Sequence, residues 1–426
     1  MRLRELAYRM LRTGLIGFGG GNALIPVIER EMKDVIDKDT LEEDVMMASI
    51  TPGALPVEIA CGIGSRIRGA LGMFTGAFAM AMPGTVFAIV LLAGMNEVSG
   101  QVISYIDYAS VGISAFICCL LLEYVRKTVK GCIDRCKANK SVILVASQCL
   151  IIVLIPFLKI STAMIFVIAF AIILGYHLIE SLCRKPTDKP DRQNSGVSFK
   201  TLSGKNELIS SGALLLAAFL LSLILFGLQG AAFAGKGIFS SLMSFGGGDA
   251  YLTVAAGLFS GDGNGLVPEE IFYGRVVPVV NVLPGSILCK TLSSIGYYTG
   301  LEITGNMAGG FTFAFIGFIL SVGASCFVFM LAKTILSIYN STAVFDSLRF
   351  WIRPIVSGLL IKVGLALARQ SIKVILNHTA FSHSSAVIIV VSLFVLGLVL
   401  RYGFKVDGWK LAAILFGLTM VGGINC

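Results

Sequence analysis

Long apolar blocks separated by short polar segments dominate the chain. Stretches 13–28, 69–96, 142–158, 208–235, 303–332, 374–400 and 411–426 contain no Asp, Glu, Lys or Arg. Several exceed the roughly 20 residues that a helix needs to cross the hydrocarbon of a bilayer, so the pattern predicts an all-α integral membrane protein. Spans are expected near 10–28, 45–63, 71–95 and 103–123, followed by a hairpin of 142–158 and 160–180. A second set is expected near 208–230, 237–260, 276–299, 306–332, 351–370, 384–400 and 409–425. That makes about thirteen crossings, a count that changes by two where segments interrupted by Gly and Pro re-enter rather than span.

The polar segments orient these spans. Lys and Arg concentrate at the N-terminus (Arg2, Arg4, Arg9, Arg12), in 126–140 and in 184–205. Basic connections stay in the cytoplasm, which places the N-terminus inside and the C-terminus outside a plasma (inner) membrane. Residues 183–206, rich in Lys, Pro, Asp, Asn, Ser and Gly, read as a polar cytoplasmic linker between a first unit, 1–182, and a second, 207–426. The start Met1-Arg2-Leu3-Arg4 leads into an apolar run broken by glycines, without a small-x-small cleavage pattern, and reads as a retained first span.

Composition narrows the function classes. With 56% hydrophobic and 14% charged residues and a mean hydropathy of +0.86, a soluble fold could not hide the apolar surface. The net charge of +9 is accounted for by the basic connections, so no nucleic-acid partner is expected. The 10 cysteines include Cys118-Cys119 and Cys132-x3-Cys136 but no CxxC or Cys/His cluster, and they read as small apolar residues. His177, His378 and His383 have no ligand spacing, so no metal is expected. No GxxxxGK[ST] loop or dinucleotide fingerprint occurs, which argues against a nucleotide cofactor and against ATP hydrolysis. No nucleophile and base can be assembled from the intramembrane residues, so an enzyme is not expected.

The chain repeats itself. Gly17-Phe18-Gly19-Gly20-Gly21-Asn22-Ala23-Leu24 matches Ser244-Phe245-Gly246-Gly247-Gly248-Asp249-Ala250-Tyr251, and Ile50-Thr51-Pro52-Gly53-Ala54 matches Val282-Leu283-Pro284-Gly285-Ser286 in the same order. Gly64 and Gly296 stand at one further matched position. By the span count the first Phe-Gly-Gly-Gly helix leaves the cytoplasm and the second returns to it, which makes the two units inverted-topology repeats. Such carriers hold substrate near the midplane between repeats.

The repeated residues suit an anion. Three consecutive glycines weaken a helix, and Pro-Gly removes an N–H and restarts one. A helix broken at membrane depth must be buried in protein or face a watery cavity, and its N-terminal amides and dipole attract negative charge. The alternative is that the glycines only let helices pack closely. Glu58 and Lys290 fall at equivalent positions, six residues beyond Pro52 and Pro284. They form an ion pair broken during transport, or divide the work, with Lys290 attracting the anion and Glu58 carrying a coupling proton, or simply snorkel at helix ends. Asn22 and Asp249 either cap the helices that start beside them or reach the ligand. Arg66, Arg68 and Arg275 either draw anions to the entrance or fix topology.

Phe18-Gly19-Gly20, the acidic stretch Glu42-Glu43-Asp44, Thr51-Pro52-Gly53 and the glycines 64, 69 and 72 together resemble the chromate transporter family, and the duplication is similar to that family's long two-domain members. The resemblance covers most of 10–95 and 237–330. It implies an inner-membrane carrier that exports chromate, driven by an ion or proton gradient, with both sets of glycine and Pro-Gly motifs central to binding. The family commonly has Phe-Gly-Gly-Pro and Pro-Gly-Pro where this chain has Gly21, Ala54 and Ser286, and often Asn at the positions of Glu58 and Lys290. A cavity of altered charge leaves sulfate or another small inorganic oxyanion open as substrate. An anion channel is the rival reading. Membrane lipid is the other expected partner, and a homodimer is one assembly the sequence allows.

Overall fold

The computed structural model describes residues 1–16, 24–97, 100–139, 142–157, 204–244, 248–260, 265–339, 343–379 and 381–424, with the single residues 165, 168 and 171. Among the described residues every regular element is helical, apart from an isolated bridge between Ser260 and Val267. Five helices among the described residues are long and apolar enough to cross a membrane: Leu55–Met95, Tyr108–Asp134, Lys205–Leu242, Met307–Ile335 and His383–Gly403.

The first unit opens with α1 (Leu3–Ile16), α2 (Ile25–Met32) and α3 (Lys38–Ile50). The expected single span 10–28 is therefore divided between α1 and α2, and the glycine triplet itself lies outside the described residues. Asp37 caps α3 by accepting the Thr40 amide at 3.0 Å. The helix stops because Thr51 precedes Pro52, whose ring disfavours helical geometry in its neighbour; Thr51 is extended, at φ −84° and ψ 152°. The expected span 45–63 thus divides into two helices.

The next helix, α4 (Leu55–Glu97), doubles back on itself at Arg68 and Gly69, where Gly69 has φ +57°. Ala60 packs on Gly76 and Gly64 on Gly72, backbone to backbone, so an inner limb to Ile67 lies antiparallel to an outer limb from Ala70. At 1.5 Å per residue the inner limb is only about 20 Å long, too short for the roughly 30 Å of bilayer hydrocarbon. A Cβ on Gly64 would overlap the Gly72 carbonyl, whereas one on Gly94 meets nothing within 4 Å. Gly64→Val is expected to cost about 1–3 kcal/mol and to lower the thermal midpoint in detergent. Gly94→Val should leave that midpoint nearly unchanged.

Beyond it lie α5 (Gly100–Asn139) and α6 (Val142–Leu154). The basic segment 126–140, expected as a connection, is helical to Asn139 as the end of α5. Apart from the single residues 165, 168 and 171, the expected span 160–180 and the linker through residue 203 lie outside the described residues.

The second unit begins with α7 (Lys205–Leu242), hinged at Gly227 with φ +61°. It continues through α8 (Gly248–Phe259), α9 (Glu269–Ile271), a π-turn (Phe272–Val276) and α10 (Val277–Val282). After a second break come α11 (Ile287–Thr304) and α12 (Met307–Tyr339). The break at 283–286 divides the expected span 276–299. Gly296 packs on the Phe313 backbone and Gly317 on Leu292, so α11 and α12 form an antiparallel pair matching the two limbs of α4.

The chain finishes with α13 (Ala343–His378), which passes Pro354, α14 (His383–Leu398) and α15 (Gly408–Ile424). These pack on α5, and Arg401 pairs with Glu123 at 3.2 Å across that contact.

The α4 hinge and the far end of α12 share one end of the molecule. Gly69 faces Glu207 of α7, and Gly204 faces Met330 and Thr334 of α12. Hence α12 runs toward the α4 hinge while the outer limb of α4 runs away from it, and the two cross at the ring contact of Phe78 and Phe318, 5.5 Å between centroids.

Candidate functional site

Each Pro-Gly turn lies against a long helix of this crossing, the first at Ser325 of α12 and the second at Gly84 of α4. Thr51–Ser65 and Pro284–Gly300 are buried throughout, so the turns are closed to solvent. Gly53 has φ +148° and Gly285 has φ +93°, conformations that require glycine. Leu283, the residue before Pro284, is extended at φ −79° and ψ 149°, as Thr51 is before Pro52.

Each turn docks on the other unit. The Gly53 amide donates to the Ser244 carbonyl at 3.1 Å and the Ala54 amide to Ser325 Oγ at 3.1 Å. Gly285, in turn, faces the Gly14 carbonyl and the Gly84 backbone, each 3.5 Å from where a Cβ would stand. The paired packing of Ala60 with Gly76 and of Leu292 with Gly317 makes Gly84 and Ser325 equivalent positions, so these are one contact made twice. Ser244 and Gly14 lead into the two glycine triplets, and each turn therefore meets the segment that enters the other unit's triplet.

Glu58 and Lys290 are fully buried, at 0% and 1% exposure. Each reaches back to its own turn rather than toward its counterpart. Glu58 Oε2 lies 3.1 Å from Thr51 Oγ1, and its Oε1 has no hydrogen-bond partner. Lys290 Nζ donates to the Leu283 carbonyl, the position equivalent to Thr51. No ion pair joins Glu58 and Lys290 in this conformation, in which each side chain bonds back across its own Pro-Gly break, to Thr51 and to the Leu283 carbonyl.

The two helix starts differ in their amides. In α11 the Lys290 amide bonds to the Ser286 carbonyl at 3.2 Å, and the N–H groups of Ile287, Leu288 and Cys289 belong to the open first turn. Ser286 stands at the N-cap without a side-chain cap bond. In α4 the amides of Val57 and Glu58 both reach the Ala54 carbonyl, at 2.8 and 2.9 Å, and Pro56 has no N–H. Open amides, a helix dipole and a buried ammonium thus coincide at Pro284-Gly285-Ser286.

Of the remaining sequence candidates, Phe18, Gly19, Gly20, Gly21, Asn22, Phe245, Gly246 and Gly247 lie outside the described residues. Gly248 and Asp249 are the first two residues of α8. Arg66 is engaged with Asp44 at 2.9 Å and Glu43 at 3.3 Å, which ties α4 to α3, and Arg68 is exposed at the hinge. A cavity of about 310 Å³ is lined by Gln229, Gly265, Leu266, Thr299, Glu302 and Ile303, at the far end of α11 from Lys290. Motif matching missed Ser325, Gly84 and Gly14, because their role comes from docking across units. Lys333 was also missed, although a Lys ending the charge-free run 303–332 is a signal in itself.

A family model described as chromate transporter matches the chain twice, over residues 4–176 and 238–423. The chain belongs to the chromate transporter family. It is a multi-pass membrane protein of a transporter family, with the match repeated in each half. This family member is 29% identical over 133 residues to an uncharacterized transporter, YwrB, of Bacillus subtilis, a match covering 30% of this chain and 68% of the relative. It is 33% identical over 75 residues to an uncharacterized transporter, MJ0718, of Methanocaldococcus jannaschii, over 17% of this chain and 19% of that one. No solved structure matches it.

Proposed function

We propose that this chromate transporter family member is a gradient-driven carrier of a small oxyanion, with chromate export across the plasma membrane as its leading activity and sulfate as the nearest alternative. One observation carries the reading: two buried Pro-Gly turns each dock on the other unit, and only one of them combines a buried ammonium with an open helix N-terminus. The anion is bound at Pro284-Gly285-Ser286 by the first-turn amides of α11 and by Lys290, while Glu58 at the matched turn carries the coupling charge. Thr51 serves Glu58 in either state. Its hydroxyl lies 3.0 Å from the Met47 carbonyl and 3.1 Å from Glu58, so it donates to an ionised carboxylate or accepts from a protonated one.

The units 1–182 and 207–426 act as inverted repeats about an axis in the membrane plane. This is supported by the twice-made turn contact and by the opposed directions of α12 and the outer limb of α4. The glycine triplets and Asn22 and Asp249 complete the path beside the turns, about thirteen crossings put the N-terminus in the cytoplasm, and a homodimer is compatible with this arrangement. Purified protein in proteoliposomes is expected to show saturable chromate and sulfate flux that rises with an imposed proton gradient. Flux linear in concentration and indifferent to the gradient would replace the carrier with a channel.

A further inference from the structure

A row of titratable side chains leads away from Glu58 on one side only. Down the inner limb of α4 come Cys61 and Arg66, and facing them on α12 come Ser325, Cys326, Phe329 and Lys333. Cys61 neighbours Cys326 and is within electrostatic reach of both Glu58 and Lys333. Lys333 Nζ is buried without a hydrogen-bond partner, 6.0 Å from the Phe329 ring, and it faces Asp44 of α3, Arg66 and Cys61 of α4 and Glu207 of α7. Glu207 Oε2 is likewise buried without a partner. From α11, Cys289 faces Cys326 and Lys290.

The matched seam beside Lys290 lacks these groups. The correspondence fixed by Gly76 and Gly317 puts Thr85 in the place of Cys326 and Leu92 in the place of Lys333, and Ser293 takes the place of Cys61. A duplicated unit has thus kept its turn in both copies and a titratable row in one.

We propose that the seam between the inner limb of α4 and α12 is the proton route of this carrier, connecting Glu58 through the Cys61–Cys326 pair to Lys333 and the carboxylates of Asp44 and Glu207. Each member passes one proton onward and receives one from behind, so no net charge stays on the thiols. The route opens at the end that carries Arg66 and Arg68, which the charge rule assigns to the cytoplasm. Lys333 holds the mouth: its ammonium gives one proton inward, and the amine so formed takes one back from the carboxyl group of Asp44 or Glu207, so no charge is left stranded in low dielectric.

The inference rests on the oxyanion-carrier reading, and two assays separate them. Full-length protein in proteoliposomes containing a pH dye is given chromate or sulfate gradients, and net anion-driven proton movement is compared with anion exchange at equal pH on both sides. Cys61→Ala/Cys326→Ala and, separately, Lys333→Met are expected to slow net proton movement about tenfold or more, leaving exchange within about twofold. Cys61→Ser/Cys326→Ser, which keeps an exchangeable proton at each position, is expected to restore most of the proton movement. If the alanine pair and Lys333→Met keep wild-type proton movement, or lose exchange in equal measure, the route is wrong. Should Lys333→Met fail to fold, the alanine pair decides alone, since it removes only two small sulfur groups. Wild-type anion flux without any proton movement overturns the route and spares the carrier, whereas no anion flux at all overturns the carrier.

Discussion

Lys290→Met is expected to weaken oxyanion binding about tenfold to a hundredfold while leaving the protein folded. The side chain is 1% exposed, and its ammonium lies beside the first turn of α11. Methionine keeps an apolar stem of similar length and removes the charge. A charge-assisted contact to a bound anion is worth roughly 1.5–3 kcal/mol, which corresponds to a loss of about tenfold to a hundredfold in affinity. Stability should change less, since methionine fills a similar volume and leaves the Leu283 carbonyl without that donor. Sulfate uptake and thermal unfolding of the same preparation check both halves. Normal uptake by the variant would remove Lys290 from the anion site.

Gly53→Ala is expected to be the more damaging of the two turn substitutions. At φ +148° an alanine costs about 1–3 kcal/mol in backbone strain. Its Cβ would also overlap the Glu58 carboxyl and press on Ser325 Oγ at 3.3 Å, the atom that accepts the Ala54 amide. At Gly285 the φ of +93° brings the strain alone, since the nearest atoms to a Cβ lie at 3.5 Å. The expected order of thermal midpoints is therefore Gly53→Ala below Gly285→Ala below wild type, with transport near background in the first. A reversed order would mean that contacts at the second turn, and not the crowding of Glu58, set the tolerance of these positions.

The glycine reading from sequence splits in two on the structure. Gly53 and Gly285 are needed for backbone conformation, as Pro-Gly predicts. Gly64 and Gly296 share the same motif spacing but serve close packing, each against the returning limb of its own hairpin. Spacing alone does not separate these uses, because both demand the absence of a Cβ. The charges at Glu58 and Lys290 were likewise visible as costly intramembrane groups, but an expected mutual ion pair gave way to a bond from each to its own turn. Each bond runs from the helix after the break to the end of the helix before it, and that short reach wins when the opposing unit offers no nearer partner.

Local chemistry written in the sequence determined the membrane class, the duplication, the breaks after Thr51 and Leu283 and the buried charges, since apolar length and proline geometry act within a few residues. Only tertiary structure decided that α4 folds back as a short inner limb, that each turn docks on the other unit through Ser325 or Gly84, and that Cys61, Cys326 and Lys333 fall in line with Glu58. The contacts between the units join residues far apart in the chain, so they depend on how two hairpins cross and not on any pattern along one of them.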